Sequence, residues 1–294
     1  MSEEFSQLLA ATIDHLENLK AHGTSFVTVT PEIFSALNQP APRRVTPVQA
    51  TEKKNEAKMV EDKIPPPYLV EKPVSPQKTP MMVSANQAEK IAEMELLRER
   101  AMVCIKCPHL AATRKNVVFG VGNVDSPLMF VGEAPGADED EQGEPFVGKA
   151  GELLTRIIQT MGFSRETVYI ANVLKCRPDT PNQAYGNRKP TTDEMKTCLP
   201  YLLEQIDIIK PRVIVALGAT AVEGLFGKPM PITKLRGNWQ TFRDTPVMPT
   251  FHPAYLLRNQ ALTEKRKVWE DMLQVLEKLA APISEKQRGY FLKA

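Results

Sequence analysis

The sequence predicts an α/β fold with three layers, α/β/α, around a four-stranded parallel sheet. Three observations predict it. Four short apolar runs read as buried strands: Leu128–Val131, Val168–Val173, Val213–Leu217 and Val247–Phe251. Helical patterns at 151–161, 192–209 and 219–226 separate them, and such alternation builds a parallel sheet covered on both faces. Polar or glycine-rich residues follow the strands: Gly132-Glu133, Asn172, Gly218-Ala219-Thr220 and His252-Pro253. All of these would gather at one edge of the sheet, where open α/β sheets bind ligands.

Residues 1–36 hold a short helical pattern, with Phe5, Leu8, Leu9, Ile13, Leu16 and Leu19 at helical spacing. It suits a handle for a protein partner. Prolines crowd the stretch from Pro31 to Pro80, and Tyr68 is the only aromatic residue between Asn38 and Ser84. Such a stretch cannot bury a core, so residues 37–85 read as a disordered Pro-rich linker. The compact domain spans 86–282, and 283–294 read as a C-terminal tail. The domain opens with a helix at 88–103 that runs into Cys104-Ile-Lys-Cys107, and its last helix covers 264–279.

Of the 294 residues, 42% are hydrophobic, enough for one good core. The net charge of +2 does not announce nucleic-acid binding, which depends on local patches instead. No apolar run approaches the ~18 residues of a membrane span. The start, Met-Ser-Glu-Glu-Phe, lacks the basic and apolar segments of a secretory signal. An intracellular, cytoplasmic setting is the expectation, and in its reducing chemistry the four cysteines are ligands or core thiols rather than disulfides.

Those cysteines are Cys104 and Cys107, with two residues between them in one motif, and Cys176 and Cys198, which flank a loop rich in Pro, Asn and Arg. Four thiolates suit zinc or an iron–sulfur cluster, and spacing does not choose between them. Phe146 is an aromatic inside the Gly/Pro-rich loop from Gly132 to Gly151, and it could offer a face for a stacked base. Glu133 is the first polar side chain after its strand. The acidic run Asp138 to Glu141 reads in large part as a solvated turn. Asn172 ends an apolar strand, and its amide both donates and accepts, as a reader of a pyrimidine edge must. Of the four histidines, only His252 falls on the functional edge.

Together these residues resemble the uracil-DNA glycosylase superfamily, most of all its family 4 iron–sulfur enzymes. The resemblance covers about 86–279. It rests on Gly132-Glu-Ala-Pro-Gly136, Glu144-Pro-Phe-Val-Gly148, Asn172 with Lys175-Cys-Arg-Pro178, and His252-Pro-Ala-Tyr-Leu-Leu-Arg-Asn259. The Cys176–Cys198 loop looks a few residues longer than the family's.

The resemblance implies a uracil-DNA glycosylase-like domain that initiates base excision repair, working as a monomer in a bacterial cytoplasm. It implies a 4Fe–4S cluster on Cys104, Cys107, Cys176 and Cys198. Its partner would be uracil-containing DNA, single- or double-stranded, with the target nucleotide flipped into a pocket. Uracil would stack on Phe146 and meet Asn172, with Gly132, Glu133 and Ala134 lining the cavity. His252 would donate to the ring oxygen of the departing base. A carboxylate, Glu133 or Glu139, would handle the water and face the cationic sugar, with Glu133 favoured by its place at the strand end. Leu256 would be the wedge that fills the gap in the helix, and Arg258 would hold phosphate. Two other readings use the same residues. One is a non-catalytic iron–sulfur DNA-binding protein associated with a phage-type DNA polymerase, and the other is a zinc-binding structural protein.

Overall fold

The computed structural model describes residues 85–180 and 183–292. The expected N-terminal helix and Pro-rich linker lie outside the described residues. Helix α1 (Ala85–Met102) leads through the Cys104–Cys107 turn to the short α2 (Pro108–Thr113). Strands β1 (Val121–Gly122) and β2 (Leu128–Gly132) follow, then α3 (Ala137–Gln142) and α4 (Lys149–Thr160). Strand β3 (Tyr169–Asn172) precedes a small hairpin, β4 (Asp179–Thr180) and β5 (Gln183–Asn187). Helix α5 (Thr192–Ile209), β6 (Val213–Leu217), α6 (Ala219–Phe226) and α7 (Ile232–Leu235) come next. The chain continues through β7 (Gln240–Phe242), β8 (Thr245–Thr250), α8 (Pro253–Arg258), α9 (Leu262–Lys278) and α10 (Glu285–Gly289).

The central sheet has six strands, in the order β1-β3-β2-β6-β8-β7, rather than the four expected. The four expected strands form its parallel middle, β3-β2-β6-β8. The two additions are antiparallel edges, β1 on β3 and β7 on β8. With two and three residues, these edges are too short to show an apolar period in the sequence.

β2, β3 and β6 are buried at every position because helices cover both faces. Alternate side chains serve opposite cores. Met129, Val131, Ile214 and Ala216 join a core with residues of α1, α5 and α6. Leu128, Phe130, Val213 and Val215 join the other, with residues of α4 and α9. Helix α5 starts at a capping box: the Thr191 hydroxyl accepts from Glu194 N, and the Glu194 carboxylate accepts from Thr191 N.

Within the stretch 283–294, α10 packs on the domain through Gln287. Trp269 Nε1 donates to the Gln287 carbonyl at 2.5 Å, and the Gln287 amide donates to the Thr160 carbonyl at 2.8 Å. This ties α10 to both α9 and α4.

Candidate active site

The parallel strands end at a cavity of about 390 Å³, lined by Glu133, Ala134, Gly136, Glu139, Phe146, Asn172, His252 and Arg258 among others. Glu133, Ala134, Glu139, Phe146, Asn172, His252 and Arg258, seven of the residues singled out in the sequence, thus lie around one cavity.

Gly132, the last residue of β2, lies beside Asn172, the last of β3. A β-carbon at Gly132 would lie 2.3 Å from Asn172 Oδ1 and 2.5 Å from Phe146 Cζ, so only glycine lets both side chains converge there. Asn172 is 2% exposed, and its Oδ1 has no hydrogen-bond partner. Buried amide oxygens are seldom left so. This one needs a donor, and it lines the cavity.

Phe146 is held in the left-handed region, with φ 56°. Arg165 fixes that turn, donating to the carbonyls of Pro145 at 2.7 Å and Phe146 at 3.1 Å. Strain of this kind in a non-glycine residue is a mark of binding sites. The Phe146 ring stacks on His252, with centroids 5.6 Å apart and planes inclined by 29°.

His252 caps α8, and its Nδ1 accepts from Ala254 N at 3.1 Å. A neutral ring with that nitrogen as acceptor carries its proton on Nε2. Burial, helped by Arg258, pushes the imidazole down to about 4, so the ring is neutral at pH 7. It is a neutral donor, not a cation.

The two candidate carboxylates differ in kind. Glu139 is committed to the backbone: it accepts from Gly136 N, Val147 N and Gly148 N, each at 3.0 Å. It ties the Gly132–Gly136 turn to the segment carrying Phe146. Glu133 is raised by burial, while a hydrogen bond from Thr220 and the nearby Lys189 act to lower it. Of the two, Glu133 is the one not bound up by three backbone amides.

The acidic run is a helix, not a turn, and Asp140 is buried within it. Its carboxylate accepts from Lys115 N and Asn116 N. Leu256 is 5% exposed and packs with Phe251 and Val268, so it caps a core cluster instead of standing free as a wedge. Its neighbour Leu257 is half-buried, and Arg258 is exposed at the cavity rim. The sequence reading did not single out Asn187 and Arg188, which the β4–β5 hairpin brings to the same cavity. The excess of Pro, Asn and Arg between Cys176 and Cys198 was the available signal.

All four cysteines are free thiols on one side of the molecule, packed against one core cluster. Burial raises Cys107 and Cys176 and pushes Cys198 up to about 12, and each of the three is raised further by neighbouring cysteines. Arg114 donates to Cys176 Sγ at 3.1 Å, and Lys175 N to Cys198 Sγ at 3.2 Å. Among the described residues, no three His, Cys, Asp or Glu side chains converge as a single-ion site.

A profile of the uracil DNA glycosylase superfamily matches residues 119–273. The chain belongs to this superfamily. Within it, the chain groups with the type-4 enzymes. It is 51% identical over 183 residues to the type-4 uracil-DNA glycosylase of Thermotoga maritima, covering 61% of this chain and 91% of that protein. It is 42% identical over 208 residues to the type-4 uracil-DNA glycosylase of Sulfurisphaera tokodaii, covering 68% of this chain and 90% of that one. A DNA polymerase of Bacillus phage SP01 matches at 31% over 140 residues, which is only 14% of that polymerase. The superfamily match spans the sheet from β1 to β8 and most of α9, so it takes in Glu133, Phe146, Asn172 and His252.

Proposed function

We propose that this protein is a uracil-DNA glycosylase that removes uracil from DNA and so initiates base excision repair. The observation that carries the reading is the orphaned Oδ1 of Asn172. Uracil presents an N3–H donor that this oxygen can accept, whereas cytosine presents a bare N3 acceptor and would leave it unpaired. The same amide's N–H faces the ring's other carbonyl. Sites built this way reject the wrong partner strongly, because mismatch leaves buried polar groups unpaired.

The target nucleotide leaves the helix and enters the cavity, with Phe146 offering the stacking face. Breaking the C1′–N1 bond sends its electron pair into the uracil ring and leaves positive charge on the sugar. The Nε2–H of neutral His252 donates to the ring oxygen where negative charge grows. Glu133 faces the cationic sugar and orients the water that adds to C1′. Glu139 shapes the loop, Ala134 lines the wall, and Gly132 leaves room for Asn172 and Phe146; Arg258 and Arg188, both at the cavity, would meet the phosphates. Among the described residues no lysine lines the cavity, which suits a monofunctional hydrolase that leaves the abasic strand uncut.

Cys104, Cys107, Cys176 and Cys198 would hold a 4Fe–4S cluster. Their thiols lie near enough to raise one another, as donors to one shared site would. These four residues would then join the end of α1, the β3–β4 connection and α5 through one group. The polymerase-associated alternative is not favoured, since that likeness is confined to a small part of the phage protein. Uracil-containing DNA, single- or double-stranded, is the partner. The segment within residues 1–36 is proposed as a protein-docking handle.

A uracil-containing oligonucleotide tests the reading. Free uracil should appear without added cofactor, and the strand should break only on later alkali treatment. No release from single- or double-stranded substrate across a range of salt would overturn it.

A further inference from the structure

Lys175 is 2% exposed, and its side chain is buried in the fold. Its ammonium donates to the backbone carbonyl of Asn172 at 2.9 Å and to Gln205 Oε1 at 2.6 Å, and lies over the Phe119 ring. Gln205 is itself fully buried and fixed, donating to the Phe119 carbonyl at 3.0 Å and the Tyr169 hydroxyl at 3.1 Å. The backbone of Lys175 is pinned too: its N–H meets Cys198 Sγ, and its carbonyl accepts from Val118 N at 2.8 Å. A lysine buried among neutral acceptors is costly, and a methionine would fill the space more cheaply. What the lysine adds is a hydrogen bond to the carbonyl of Asn172, where β3 ends.

We infer that Lys175 is a positioning residue for Asn172, a strut from the four-cysteine region and α5 to the backbone of the base-reading amide. The inference rests on the proposed uracil excision and deepens it. The Asn172 side chain stays free for a ligand because its backbone is held from behind. The orphaned Oδ1 and the buried ammonium are two sides of one arrangement.

The test compares the full chain, loaded with iron, as wild type, Lys175→Met and Gln205→Leu. Gln205→Leu keeps the lysine and removes its brace, so it carries the test if Lys175→Met does not fold. Single-turnover excision at saturating enzyme should fall about 10- to 100-fold in each variant, the scale of a small misplacement of a reacting group. Affinity for a duplex with an abasic site should stay within about 2-fold, because phosphate contacts set it. Iron per chain should be unchanged. A folded, iron-loaded variant with wild-type rate overturns the inference. So does a rate that falls only in proportion to lost iron, or recovery of both variants only without iron, since Lys175 then serves the metal centre alone. Wild type that releases no uracil overturns the proposed activity instead, and the two failures are thereby told apart.

Discussion

Gly132 and Asn172 sit side by side at the ends of β2 and β3, so close that a β-carbon on Gly132 would reach within 2.3 Å of Asn172 Oδ1. Phe146 meets the same point from the loop side. Gly132→Ala should therefore displace either the base-reading amide or the stacking ring. We expect at least about a 100-fold loss in single-turnover excision, the cost of a misplacement near 1 Å, with abasic-duplex affinity little changed and stability lowered by about 1–3 kcal/mol, the cost of overpacking. A variant that excises at the wild-type rate would show that the amide does not read the base from this position.

His252 yields a pH prediction. Its imidazole sits near 4 in the fold and near 6.5 when unfolded. Between those values the unfolded chain holds the extra proton, so this group's contribution to stability falls as pH drops from about 6.5 toward 4. The pH dependence of stability in wild type, minus that in His252→Gln, should show this slope. Excision should show no inflection near 6.5 attributable to His252, and His252→Gln should lose roughly 100- to 1000-fold in rate. A difference curve flat between pH 4 and 6.5 would mean that His252 titrates normally.

Leu256 and Leu257 should separate cleanly. Leu256→Ala opens a gap beside Phe251 and Val268 and should cost about 2–5 kcal/mol, read by denaturant unfolding. Leu257→Ala should leave stability nearly unchanged. If Leu257 serves as the wedge, its loss should slow excision from duplex more than from single strands, because only a duplex has a gap to fill. Equal slowing on both substrates would remove Leu257 from that role.

Asp271 is fully buried and anchors the end of β8, just before His252. Its carboxylate accepts from Arg236 and, at 2.6 Å, from the hydroxyl of Thr250, two residues before His252. Burial pushes this carboxyl up while those two donors act to lower it. Asp271→Ala should cost on the order of 3–5 kcal/mol, because Arg236 is left without its partner. Arg236→Met with Asp271→Leu should recover much of that, and a double variant no more stable than the single one would refute the account.

The four cysteines come from segments distant in sequence, so each should matter to the whole. Replacing Cys104, Cys107, Cys176 or Cys198 singly with Ala should lower iron content and soluble yield together. Full iron occupancy in any one variant would remove that cysteine from the ligand set.

The sequence by itself determined the parallel middle of the sheet and the strand-end residues. Four apolar runs, each long enough to show a pattern, made β2, β3, β6 and β8 legible, and chain direction then put Glu133, Asn172 and His252 on one edge. What the tertiary structure decided was everything set by partners distant in the chain. The edge strands β1 and β7 exist because β3 and β8 offer free ladders, not because of their own composition. Residues 137–142 are helical because Glu139 closes onto its own N-terminal turn and onto the Phe146 segment, and Asp140 meets the backbone at 115–116. Neighbours along the chain did not reveal that Leu256 turns inward, that Glu139 is spent on backbone amides, or that Lys175 points to Asn172. Local pattern records which side chains avoid water; only packing decides which buried polar group answers which, because those partners are brought together by the fold.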